Sequence, residues 1–192
     1  MLSEKELAKL TNTLQIPMIV QDILDGRESF SPDMQYGLHE TLSDYQPDSA
    51  LLAIALGARK IAARYQHLGA NMAILKMECE RIISDYAEIW VRNAEAKTLD
   101  DNLVFDTLEQ IPEDLETLAE MLEINAALLN AHNEELAKIC EAFALQSSAQ
   151  ALIADTFIDL MDEGTELAET YASTTMTYND NVIPFPGTMN AS

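Results

Sequence analysis

Proline is missing from Asp48 to Ile111, and no glycine intervenes between Gly69 and Gly164. Those two residues punctuate chains most strongly, so their absence leaves long stretches in which nothing local interrupts a helix. Aromatic residues make up only 6% of the chain, which weakens any case for sheet. Basic residues are scarce: eleven Lys and Arg stand against thirty-three Asp and Glu, for a formal charge of −22. From Thr98 onward Lys138 is the only base, opposed by nineteen acids. A direct grip on DNA or RNA needs a basic footprint and is excluded on this count. The same sign disfavours an anionic membrane surface. A basic protein partner stays open.

Cysteine is nearly absent too. Cys79 and Cys140 both fall inside helical pattern, where small buried thiols are the plain reading, not a disulfide framework. The chain opens on an amphipathic helix start, with no secretory leader pattern. Its longest apolar stretch, Ala50 to Ala58, is too short to span a bilayer and meets Arg59 and Lys60 at once. A reducing, cytoplasmic location is expected, with no membrane contact.

Chemistry-bearing patterns are missing as well. Six glycines build no phosphate loop, and no Gly-x-Ser-x-Gly elbow occurs. Di-metal bundles use Glu-x-x-His pairs so that both ligands share a helix face. The residues three positions before His39, His67 and His132 are Tyr36, Arg64 and Leu129, so no metal and no cofactor are expected. His132 falls on an apolar seam and reads as a packed core histidine. Tyr65, Tyr86 and Trp90 likewise read as core aromatics. One enzymatic class is retained. Helical phosphatases of response regulators hold a water between an acid and an amide one turn apart, and Asp106 with Gln110 has that spacing. Their neighbours do not match that motif, and Pro112 lies close by. No residue is assigned a catalytic role, although a phosphotransfer role for an exposed His67 belongs to the same class.

What is present is helical period. One seam runs Ile54, Ala58, Ile61, Tyr65, Leu68, Met72, Leu75, Cys79, Ile82, Tyr86, Ile89 and Asn93, in alternating steps of four and three. That spacing predicts a helix from about Ser49 to Ala96, roughly 70 Å long, packed along a partner helix. Gly69 is the place where it would bend or split. Pro112, followed by Glu113 and Asp114, reads as the start of the next helix. Its seam is Leu115, Leu118, Leu122, Asn125, Leu129, His132, Leu136, Ile139 and Phe143, with Asn125 as a register-setting polar residue. Ser147 and Ser148 read as a break or a cap. A last helix shows Ile153, Phe157, Leu160, Gly164, Leu167 and Tyr171 at the same spacing.

The expected fold is all-α: an elongated, antiparallel helical bundle with coiled-coil-like long helices and a flexible C-terminal tail. Residues 1–47 would be short helices packed on the bundle, 48–172 the long-helix bundle, and 173–192 the tail. A seam left uncovered by one protomer makes a homodimer the expected way to bury it. In the tail, Val182, Ile183, Pro184, Phe185 and Pro186 form an apolar, proline-stiffened cluster. It reads either as a linear motif that binds a partner or as a strap folded back on the chain's own apolar surface. The expected function is a non-enzymatic acidic adaptor or regulator working through protein–protein contacts. A nucleic-acid mimic that occupies a basic groove is the second class, and the helical phosphatase the third.

Overall fold

Apolar residues at helical spacing, with few residues that oppose helix, give a chain whose described residues are helices joined by short turns. The computed structural model describes the backbone of residues 4–94 and 101–177, and the side chains of residues 5–87, 89 and 109–165. Helices α1 (Glu4–Leu14), α2 (Ile16–Leu24), α3 (Pro32–Ser43), α4 (Pro47–Tyr65), α5 (Ala70–Ala94), α6 (Asp101–Asn130) and α7 (Glu134–Thr177) follow in order, with one 3-10 turn at Gln66–Leu68. The fold class is all-α, a packed helical bundle. Two compact units are distinguished, Met1–Asp155 and Thr156–Ser192.

In the first unit α4 is the centre. Every residue from Ala50 to Ala58 is buried, so this helix is apolar on all faces and is enclosed by α5, α2, α6 and α1. The expected single rod from Ser49 to Ala96 does not form. The 3-10 turn and Gly69, at φ 155°, reverse the chain, and α5 packs back along α4. A side chain at Gly69 would oppose that backbone angle; glycine accepts it. Arg59 and Glu80 then meet across the hairpin at 3.4 Å. The seam from Ile54 to Tyr86 is covered by the chain's own helices, including α1 and α2, so its burial calls for no second copy.

Pro112 does not start a helix. It lies inside α6 and is buried, beside Ile111, Leu115 and Leu118. A mid-helix proline costs about 3 kcal/mol, and burial of its apolar neighbours in the core offsets that loss. Asp114, read with Glu113 as an acid of a helix start, lies inside α6 and is buried. It accepts from the Tyr86 hydroxyl at 2.6 Å and from Arg81 at 2.5 Å. Asn125 is on the seam as expected, and its amide donates to the carbonyls of Met121 at 2.8 Å and Asn71 at 3.4 Å. The contacts between α5 and α6 therefore run in reverse order, Asn71 to Asn125 and Tyr86 to Asp114.

The second seam also folds in two. His132 is exposed in the turn between α6 and α7, where Asn133 caps α7 by accepting from the Leu136 amide at 3.1 Å. It is not a core histidine. Ser147 and Ser148 do not break α7, because Ser147 is fully buried among core residues and serine tolerates a helix interior. Phe143 seats its ring over Gly57 of α4, in the neighbourhood of Val20 of α2. Gln150 donates to the carbonyls of Leu42 at 2.8 Å and Tyr45 at 3.3 Å, fastening α3.

The described part of the third seam is not packed, and the side chains of Leu167 and Tyr171 lie outside the described residues. Ile153 is exposed in the first unit, and Phe157, Leu160 and Gly164 are exposed in the second. Helix α7 reaches Thr177, past the change of composition at Ala172. Among the described residues, the one non-glycine at positive φ lies between α1 and α2, where Gln15 takes φ 56° and ψ −44°. Gln15→Gly is expected to raise stability by about 0.5–1 kcal/mol in urea unfolding, since only glycine occupies that region without a Cβ penalty. A loss of stability on this change would show that the Gln15 side chain is needed in place.

Candidate docking surface

Among the described residues, the histidines and the central buried acid that chemistry would use are spent on structure or lie apart. His39 pairs with the Gln146 amide, and His67 stacks on Tyr65 with ring centroids 6.1 Å apart. The Tyr65 hydroxyl also meets the Asn133 amide at 3.3 Å. Among the described residues, no three His, Cys, Asp or Glu side chains converge as a metal site would require. Gln110 is exposed and donates to Glu113 at 2.8 Å; the side chain of Asp106 lies outside the described residues. Because α6 runs through Pro112, the proline does not cut that pair off from a long helix, contrary to the expectation above.

Burial first, and then the hydrogen bond to Asp114, raises the Tyr86 hydroxyl far above its ordinary range, so it remains a neutral donor. Arg81 gains from Glu78 and Asp114 and is held protonated. This cluster locks α5 to α6 and offers no free base or nucleophile. A shallow cavity of about 340 Å³ lies between α1 and α4, with Leu7 and Leu56 in its wall and Arg59 and Lys60 beside them. Both cations are already engaged, with Glu80 and Gln21 respectively.

The outer face of α6 differs from all of these. Glu109, Glu113, Glu116, Glu120 and Glu123 are all exposed. Their steps of four and three match those of Leu115, Leu118 and Leu122, on the opposite side of the same helix. The row therefore stays in line for about 21 Å, with a carboxylate about every 5 Å. Among the described residues no Lys or Arg pairs with any of the five. Beside the row Ile124 is 53% exposed, and on the adjoining α5 Ile74 and Met77 are 49% and 69% exposed. Met121 and Leu128, partly buried, also pack against the core from this helix. The acid ridge and Ile124 thus lie on α6, and Ile74 and Met77 on α5, two helices held together by the Arg81–Asp114–Tyr86 cluster.

The sequence carries this signal, but the supposed break at Pro112 separates Glu109 from the rest and hides it. The expected partner-binding residues Val182, Ile183, Pro184, Phe185 and Pro186 lie outside the described residues. No helix among the described residues is long and apolar enough to cross a membrane. No family model matches this chain, and neither a curated protein nor a solved structure matches it.

Proposed function

We propose that this chain is a non-enzymatic acidic adaptor or regulator that binds a basic, amphipathic segment of another protein along α5 and α6. The glutamate row carries this reading. Five like charges kept in line, with no Lys or Arg paired to them among the described residues, cost some stability through mutual repulsion, and a cationic partner would relieve it. Ile74, Met77 and Ile124 supply the apolar contact that a charge ridge lacks, and methionine adapts to varied partner side chains. The free, buried thiols of Cys79 and Cys140 suit a reducing cytoplasm.

A nucleic-acid mimic is the second reading that the row favours. Magnitude weighs against it: duplex DNA carries a charge per about 1.7 Å of axis, roughly three times the density of this row. A basic peptide asks for less.

The test is capture from source lysate with the wild-type chain, with Glu113→Lys/Glu116→Lys/Glu120→Lys, and with Ile124→Asp. Partners held through this face are retained by the wild type at 50 mM salt and lost by both variants. Wild-type affinity should fall at least about tenfold by 500 mM, because exposed charges are screened. Partners retained equally by all three proteins would sink the proposal. If displacement of DNA from a basic-groove protein were the only activity found, the mimic would stand in its place. Sedimentation of the same three proteins tells whether a second copy, not a foreign chain, takes this face.

A further inference from the structure

The second unit poses a separate question, independent of the α5–α6 face. Phe157, Leu160, Met161 and Gly164 follow one another at helical steps of three, one and three, so they share one face of α7. The three apolar side chains are 52%, 60% and 43% exposed. Asp159, Asp162 and Glu163 are exposed on the remaining faces.

Gly164 is the odd member. It sits inside a helix, where glycine is destabilising relative to alanine. It does not have a positive φ, and a Cβ built on it would meet nothing within 4 Å. Neither backbone angle nor neighbour in the described structure asks for glycine. A flat group lying on bare backbone beside Leu160 and Met161 would ask for it.

We infer that the segment Val182–Pro186 of this same chain lies back along that stripe and seats the Phe185 ring in the notch at Gly164. The reach is sufficient. Gly164 is about 20 Å from Thr177 along the helix, and the eight residues from Tyr178 to Phe185 span up to about 26–29 Å when extended. The chemistry also fits. Pro184 and Pro186 carry no backbone N–H, so an apolar groove receives this segment with few donors left unpaired. From Asn181 to Ser192 there is no charged side chain to oppose the acidic helix.

A second copy of the helix fits less well. Asp159, Asp162, Glu163, Glu166 and Glu169 occur with no Lys or Arg from Thr156 onward, so two such helices side by side would bring like charges together without an ion pair.

The experiment uses the full chain labelled at methionine methyls, with the Met161 resonance assigned by its loss in Met161→Leu. A phenylalanine ring at Gly164 displaces the Met161 methyl signal upfield. That displacement is expected to vanish in Phe185→Ala and to persist unchanged on tenfold dilution of the wild type. Gly164→Ala should also abolish it while increasing helix content by circular dichroism. An unchanged Met161 signal in Phe185→Ala overturns the inference. So does a displacement that disappears on dilution, which assigns the stripe to a second copy, and so does full retention in Gly164→Ala, which leaves the notch unused.

Discussion

Phe143→Ala is expected to remove about 3–5 kcal/mol of folding stability, the largest loss from any single truncation in this core. The ring is fully buried and bridges three helices: it belongs to α7, lies over Gly57 of α4 and meets the neighbourhood of Val20 on α2. A domain of this size holds roughly 5–15 kcal/mol in all, so the variant would be marginal. The reciprocal change is informative because two effects oppose. Gly57→Ala gains about 1 kcal/mol of helix propensity. Its Cβ, however, would stand 3.0 Å from two atoms of the Phe143 ring and 3.3 Å from the Val20 methyl. The ring has no solvent to move into, so overpacking of about 1–3 kcal/mol should prevail. In the double variant the new methyl enters the space vacated by the ring, and the combined loss should fall short of the sum by at least about 1 kcal/mol. Urea unfolding of the four proteins measures this, with Gly57→Leu as an extreme expected to abolish cooperative folding. Strictly additive losses would mean that the two residues do not share one packing site.

That site also shows what the sequence reveals and what it conceals. Phe143 and Ala58 are both legible as seam residues, and both are buried. The placement of Phe143 over Gly57, the neighbour of Ala58, is not legible, because the four-and-three rhythm says which face of a helix is apolar and nothing about where the chain turns. At Gly69 and again at His132 the rhythm runs straight through a reversal, since both arms of a hairpin face the same core. A counted seam of five heptads therefore looks like one rod. Pro112 misleads in the opposite direction: a local breaker is overridden by burial of Ile111, Leu115 and Leu118. The glutamate row on α6 is written in the same rhythm as the leucines, yet it becomes a surface only once Glu109 and Glu123 are known to share one uninterrupted helix. On α7 the rhythm is again plain, and exposure of Phe157 and Leu160 cannot be read from it, because period marks a face and leaves its covering open.

Raising the pH past about 9 should unfold the protein through its two buried thiols. Cys140 is pushed from 9.0 up to about 12, chiefly by burial and then by Glu141. Cys79 is driven higher still by burial, by Cys140 and by Glu78. Both groups thus hold their protons in the fold at pH values where the unfolded chain releases them. Stability is fully present below the unfolded value near 9 and declines as pH climbs toward the folded values. Each thiol contributes a slope of about 1.4 kcal/mol per pH unit, so by about pH 11 the pair removes on the order of 5 kcal/mol. Tyr86, also raised by burial and by its bond to Asp114, adds to the decline above about pH 10. Unfolding free energies from urea titrations between about pH 7 and 11 should fall steeply above about 9. In Cys79→Ala/Cys140→Ala the protein would be weaker at about pH 7, through lost packing of about 1 kcal/mol per site, yet much flatter with pH. Tyr86→Phe should flatten only the last part of the curve. A double-alanine variant whose stability declines as steeply as the wild type between about pH 9 and 10 would show that the thiols are not the groups holding back their protons.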